Sequence, residues 1–363
     1  MPVVRPRTTA GGAGCKSVVR RRTTTTGDGV LLFVFTILYN TCTSLQGHYM
    51  TTKLLGIHHV TAITSDSQKN VDFYVGVLGL RLVKKTVNFD EPESYHLYYG
   101  DLSGTPGTIL TFFPWASIAP QGFRGTGQVA TVAFSLPRQS LRFWVTRLKT
   151  HGISFTGPIV RFEEDVISFE DPDGMRLELV FHQQEQRQAW KSPSVLPAHA
   201  IRGIFGVRMM IEGYEESAQL LTKTLGFQLC GEQDGLFRFN LGEEKPGMVL
   251  DVECKPDAPK GRMGIGTVHH VAWRIGSEEQ LQIRKNELSK LHINATPIVD
   301  RKYYRSLYFR EPGNVLFEMA TDAPGFLVDE PLESLGSNLC LPKWLEGQRG
   351  YLERSLPVIA QPS

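Results

Sequence analysis

Two adjacent histidine pairs are the residues of this chain best suited to chemistry. His58-His59 lies in GIHHVTAI (56–63) and His269-His270 in TVHHVAWRI (267–275), two short apolar stretches that read as strands. Neighbouring imidazoles cost desolvation energy unless they have partners, and neutral imidazole is the commonest metal ligand among protein side chains. The same costly pair at the same place in two similar stretches points to one site built from both.

The elements that would have to position them repeat. From Lys53 onward the chain holds four copies of one module, at 55–115, 125–182, 202–254 and 265–321. In modules 1 and 3, VDFYVGVLGLRLV matches AQLLTKTLGFQLC, with Gly79 and Gly226 placed to end a helix in the left-handed conformation that glycine accepts. Modules 2 and 4 share an amphipathic helical stretch (LRFWVTRLKTHG, LQIRKNELSKLH). In both, an acid-proline turn then leads into an alternating strand, DPDGMRLELVF (171–181) and EPGNVLFEMAT (311–321). Each module reads strand–helix–three strands, so the fold class is α+β.

Equivalent positions in the four copies decide which of them can hold the site. The first strand offers His59 in module 1 and His270 in module 4, against Thr131 in module 2 and Gly206 in module 3. The last strand offers Glu318 in module 4, Glu178 in module 2, Thr111 in module 1 and Asp251 in module 3. Modules 1 and 4 together supply His59, His270 and Glu318, a two-histidine, one-carboxylate set; modules 2 and 3 lack imidazole there and read as copies kept for structure. A lone Glu318 in the apolar run LFEMAT would be an expensive buried charge, which favours a ligand reading. Three protein ligands with open positions are the pattern of non-haem Fe(II) oxygenases.

This βαβββ repeat, over 53–358, resembles the vicinal oxygen chelate superfamily of glyoxalase I, bleomycin-resistance proteins and extradiol dioxygenases. The resemblance implies four modules paired into two cupped mixed β-sheets with flanking helices and a metal inside a cup. Glyoxalase I-type lyases of this superfamily take a ligand from each of four strands, whereas the fourth position here is Thr111, a weak ligand. HHVT in module 1, VHHVAW in module 4 and the LFEMAT strand are similar to ring-cleaving dioxygenases of the hydroquinone-cleaving type. Catechol extradiol enzymes instead take both histidines from their second half, where this chain has Gly206. The resemblance thus implies Fe(II) on His59, His270 and Glu318, with a small hydroquinone- or catechol-type aromatic and O2 as partners, and ring opening with both oxygen atoms incorporated. Two other readings stay open: a glyoxalase-type lyase or isomerase using Zn, Ni or Mn, and a non-catalytic protein that binds toxic aromatics.

The remaining site candidates follow from the same likeness. His58 and His269 point away from the ligands if their strands are regular, whereas in similar enzymes the first histidine of each pair lines the pocket; a bulge would reconcile the two. Both are candidates for supporting the ligands or for acid–base work. Thr61 shares a strand face with His59. In DRKYYRSLYF (300–309), the resemblance places Arg301 and Tyr308 in the pocket, where a guanidinium would hold an oxyanion and a phenol would donate a proton. The plain alternatives are an ordinary strand threonine and a solvated edge strand. His96, His151, His182, His199 and His292 lack matched partners and default to surface or core roles.

The bulk composition narrows the class. The net charge of the 363-residue chain is +2, but residues 1–50 carry six basic residues and one acid, which leaves the body mildly acidic. That gives no reason to expect nucleic acid. Cysteines at 15, 42, 230, 254 and 340 form no CxxC, so neither a disulfide framework nor a zinc knuckle is indicated, and a reducing, cytoplasmic setting is the simplest expectation. Residues 1–52 read as an extension. Its apolar run VLLFVFTILY (30–39) is too short to span a bilayer. Its Arg/Thr-rich, acid-poor composition fits an organellar, mitochondrial presequence, and Met50 offers an alternative start. The body divides into a first domain, 53–190, a second, 200–330, and a tail, 331–363, with a helix near 342–356. Assembly into a homo-oligomer is left open.

Overall fold

The computed structural model describes residues 52–115, 119–183, 185–242 and 245–360. The extension 1–52, with its presequence and alternative-start readings, lies outside them but for Thr52. Four βαβββ modules follow in order. Module 1 is β1 (Ile57–Thr64), α1 (Ser67–Val71), β2 (Arg81–Val87), β3 (Tyr95–Gly100) and β4 (Ile109–Pro114). Module 2 is β5 (Gln128–Pro137), α2 (Leu141–Thr150), β6 (Phe155–Arg161), β7 (Glu164–Glu170) and β8 (Arg176–His182). Module 3 is β9 (Ile204–Ile211), α3 (Glu215–Gln219), β10 (Gln228–Gln233), β11 (Leu236–Asn240) and β12 (Val249–Cys254). Module 4 is β13 (Val268–Ile275), α4 (Glu278–Lys290), β14 (Val299–Asp300), β15 (Arg305–Arg310) and β16 (Leu316–Thr321). The tail adds β17 (Leu339–Cys340) and α5 (Arg349–Ser355), a shorter helix than the sequence suggests.

The helix stops are where the glycines put them. α1 and α3 run on through wider-wound turns, Asp72–Val77 and Leu220–Leu225, and Gly79 (φ +70°) and Gly226 (φ +84°) follow in the left-handed region. At Gly79 a Cβ would also sit 2.6 Å from Val195, so only glycine fits.

Two mixed sheets result, in the orders β14-β15-β16-β13-β1-β4-β3-β2-β17 and β10-β11-β12-β9-β5-β8-β7-β6. Within each module the first strand runs parallel to the last. Modules join through antiparallel pairing of their first strands, β1 with β13 and β5 with β9. Modules 1 and 4 therefore share one sheet, and modules 2 and 3 the other. Each sheet takes one module from either side of the 190–200 division. Sequence neighbours are tied differently, through the acid-proline turns. Asp171 accepts the backbone N–H groups of Asp173 and Met175 and the Tyr74 hydroxyl of module 1. Glu311 likewise accepts from Val315 N and from the Ser217 hydroxyl of module 3.

Burial pushes the Asp171 carboxyl up to about 6, above its ordinary value. A raised carboxyl binds protons in the folded state that the unfolded chain has already lost, so stability falls as pH rises from about 4 to about 6. Asp171→Asn should flatten that slope, which amounts to about 2–3 kcal/mol between pH 4 and 7; chemical unfolding of both proteins at the two pH values would measure it.

Among the described residues no helix is long and apolar enough to cross a membrane.

Candidate metal centre

The first strands set up the site by breaking their own alternation. On β1 the residues in the main core are Ile57, Val60 and Ala62; on β13 they are Val268, Val271, Trp273 and Ile275. Each series skips three positions and then two. The extra residue is a bulge: pairing passes from Ile57 to His59 on β1, and from Val268 to His270 on β13, with a register shift at both places. A bulge re-aims side chains that strict alternation would send to opposite faces. Both histidines of each pair are thereby turned off the core face.

His59 Nε2 and His270 Nε2 lie 3.3 Å apart, and Glu318 Oε2 lies 3.1 Å from the first and 2.8 Å from the second. All three residues are buried. Glu318 reaches the point because β16 lies beside β13 in register, with Ala272 opposite Glu318; the same register on β1 and β4 sets Thr111 opposite Thr61. Thr111 is thus the structural counterpart of Glu318, and no fourth protein ligand comes from that strand.

The three donor atoms fit a metal ion. Adjacent donors on an ion at about 2.1 Å stand about 3.0 Å apart in an octahedral shell, close to this triangle's edges. Outer contacts favour lone pairs at its centre. His58 Nδ1 is 2.9 Å from His59 Nδ1, and His269 Nδ1 is 2.8 Å from His270 Nδ1. With the shared protons on His59 and His270, both Nε2 atoms are free to ligate, and each ligand ring is held by its neighbour. Neither Glu318 oxygen has a protein hydrogen-bond partner. Burial lowers the basicity of His270. Burial opposes ionisation of Glu318, and His59 and His270 outweigh it, holding the carboxyl well below its usual range. An ionised carboxylate buried against imidazole nitrogens is a charge that a metal cation can neutralise.

The triad meets, through His270, a cavity of about 440 Å³, lined on the module 4 side by His269, His270, Thr296, Arg301, Tyr304 and Tyr308 and on the module 1 side by His96, Tyr98, Phe113 and Trp115, with the loop 88–91 at its edge. Phe113 and Trp115 stack at 4.9 Å, and both meet His269 edge-on. The Arg301 guanidinium lies 5.5 Å from the Tyr308 ring centre and donates to Asp90 at 3.1 Å. Burial, and then the Glu318 charge, push the Tyr308 phenol above its ordinary range, so it stays a proton donor. Burial and the neighbouring His270 bring His269 down to about 3, so it is neutral.

His269, Arg301 and Tyr308 therefore line the cavity beside the ligands. His58 does not: it borders a separate, smaller cavity, and its contacts with the site run through His59 and Tyr304. Thr61 is fully buried and accepts from Thr111 at 2.9 Å. His96, assigned to surface or core by default, is buried in the cavity wall. Its Nε2 meets the Thr111 hydroxyl at 2.8 Å, and its Nδ1 meets the Tyr98 hydroxyl at 2.8 Å. Aligning β3 with β15 would have flagged its strand, because Tyr98 stands opposite Thr111 just as Tyr308 stands opposite Glu318, and His96 lies two residues before Tyr98. We expect His58→Leu to weaken metal binding about 10–100-fold without unfolding the chain, which titration of the metal-free protein with Fe(II) or Co(II) would measure.

Among the described residues the second sheet carries no such site. Glu178, at the position of Glu318, is bound by Arg161 and by Arg208, and Asp251 by Arg238. Burial opposes ionisation of Glu178, and the two guanidiniums outweigh it. Protein cations stand where a metal would be in the other sheet.

Comparison with known proteins agrees with this geometry. Residues 56–179 match the Glyoxalase/Bleomycin resistance protein/Dioxygenase superfamily. A Bacillus subtilis protein named as a ring-cleaving dioxygenase, MhqO, is 42% identical over 307 residues, covering 85% of this chain and 97% of its own. The chlorohydroquinone/hydroquinone 1,2-dioxygenase of Sphingobium indicum is 34% identical over 314 residues, covering 84% and 97%. The crystal structure of a Bacillus subtilis protein described as a dioxygenase superposes with a TM-score of 0.82 at 41% identity, over 86% of this chain and 99% of that one. This chain therefore belongs to the glyoxalase/bleomycin resistance protein/dioxygenase superfamily.

Proposed function

We propose that this protein is an Fe(II)-dependent, extradiol-type ring-cleaving dioxygenase acting on small hydroquinone- or catechol-type aromatics with O2. The observation that carries the reading is the buried His59–His270–Glu318 triangle, closed by three side chains only and reached through His270 from a cavity rich in aromatic rings. Relatives named as ring-cleaving and hydroquinone dioxygenases support it. His59, His270 and Glu318 would hold the iron, which when bound supplies redox chemistry and a shared attachment point for both reactants. The chain's own residues do the rest. Phe113 and Trp115 present flat apolar faces to a ring. Arg301 offers a planar fork to an ionised phenol oxygen. Tyr308 donates a hydrogen bond from a phenol that does not ionise at neutral pH. His269 has Nδ1 committed to His270, which leaves Nε2 as its atom for exchanging a proton with bound substrate.

The glyoxalase-type alternative lacks its fourth ligand, since Thr111 is committed to Thr61 and His96. Mixing anaerobically iron-loaded protein with substituted hydroquinones in air-saturated buffer should give oxygen uptake and loss of the aromatic absorbance. Lactoylglutathione formation without oxygen uptake, or tight aromatic binding with neither metal nor turnover, would replace this reading by one of its two rivals.

A further inference from the structure

The cavity that His58 borders has a volume of about 200 Å³ and lies on the other side of Tyr304 from the aromatic-lined one. Tyr304 is the one residue that lines both. Its ring is packed 5.1 Å from the His58 ring and 5.1 Å from the His59 ring, so the partition beside the donor triangle is one side chain thick. Ile109, Pro324 and Phe326 give the smaller cavity apolar walls, and it opens outward between Thr105 and Leu327, both exposed. Of its polar lining, His58 lies at the buried end, whereas the Asp322 side chain is 40% exposed, toward the mouth. His58 Nε2 is buried without a partner, and the Asp322 carboxylate is committed to Arg274 at 2.9 and 2.6 Å. A trapped water needs two to four polar partners, whereas an apolar cavity stays dry and takes up xenon.

From this arrangement we infer that the smaller cavity is a binding site and entry route for a small apolar gas, O2, behind Tyr304. The inference rests on the dioxygenase reading for its purpose. An aromatic bound against the triad from the larger cavity obstructs that approach. A second reactant that arrives afterwards then needs another path, and a diatomic gas can pass a single rotating side chain where a ring cannot.

Two measurements test it. Crystals of the protein pressurised with xenon should show xenon on the His58 side of Tyr304. Thr105→Trp and Leu327→Trp, at the exposed mouth, should raise the KM for O2 about fivefold or more with little change in the KM for the aromatic. Xenon absent from this cavity, an ordered water on His58 Nε2 in its place, or an unchanged KM for O2 in both variants would each overturn the proposal. If iron-loaded protein consumes no oxygen with any aromatic, the dioxygenase reading fails on that result, while the xenon experiment still decides whether the cavity takes a gas.

Discussion

Glu318→Gln should remove metal binding and turnover together, with a loss of activity of at least about a thousandfold. The substitution keeps the volume of the side chain and removes the charge that the two imidazoles face. Second-sphere changes around a metal typically cost about 10–100-fold in affinity, and loss of the anionic ligand itself should exceed that. His270→Ala should behave the same way, since it removes one corner of a triangle whose edges are 2.8, 3.1 and 3.3 Å. A useful internal control comes from the metal-free protein. There Glu318 is a buried carboxylate whose oxygens have no protein hydrogen-bond partner. Because the imidazoles hold its carboxyl below the usual range, the glutamine variant should be less heat-stable than the parent without metal, and it should also lose the rise in Tm that metal gives the parent. At about a hundredfold excess of metal over Kd that rise corresponds to about 2.7 kcal/mol. Retained metal binding or turnover in either variant would sink the assignment of the site.

The largest expected effect on stability lies in the other sheet. Arg238 donates to Asp251 at 2.8 and 3.1 Å and to Glu164 at 3.0 and 2.8 Å, and its guanidinium sits 4.1 Å from the Phe162 ring centre. Arg238→Met leaves two largely buried carboxylates, Asp251 and Glu164, without their shared cation. Breaking a buried pair from one side typically costs about 3–5 kcal/mol, because the remaining charge is stranded. Chemical unfolding should show a loss of that size. Metal affinity and kcat measured on the folded fraction should stay close to the parent's, because the donor triangle is built on the other sheet. A loss below about 1 kcal/mol would mean that water reaches these carboxylates easily, and a loss of metal would mean that the two sheets are coupled more tightly than their separate pairings indicate.

These two outcomes separate what the four repeats have become. Each module keeps the strand and turn pattern, and the polar residues facing into each sheet differ by charge. Where imidazoles face a carboxylate, the cluster offers lone pairs and an anionic oxygen to a cation; where arginines face it, the cluster neutralises itself.

Much of this was open to reading in the chain alone. The repeat, the glycine helix stops and the acid-proline turns are local features, set by backbone conformations that only some residues adopt, and all are found where the sequence puts them. The triad was also readable, because His59, His270 and Glu318 hold matched positions in modules whose equivalents lack them. Other features depend on contacts between distant strands. His58 looks equivalent to His269, yet the 301–304 segment brings Tyr304 between His58 and the larger cavity. His96 looked unremarkable because Thr111, which meets its Nε2, lies on β4, a strand that pairs with β3 only after folding, and this contact fixes the role of Tyr98, two residues along its own strand.

Sequence by itself determined the module, its four copies and the identity of the donors, since these follow from local conformational preference and from the cost of burying polar groups unpaired. Tertiary structure alone decided that module 1 joins module 4 in one sheet, that paired bulges turn both histidines of each pair off the core face, and that one tyrosine divides the space beside the triad. Each of these arises from the register between strands far apart in the chain, and register is a property of the assembled sheet that no single stretch of residues carries.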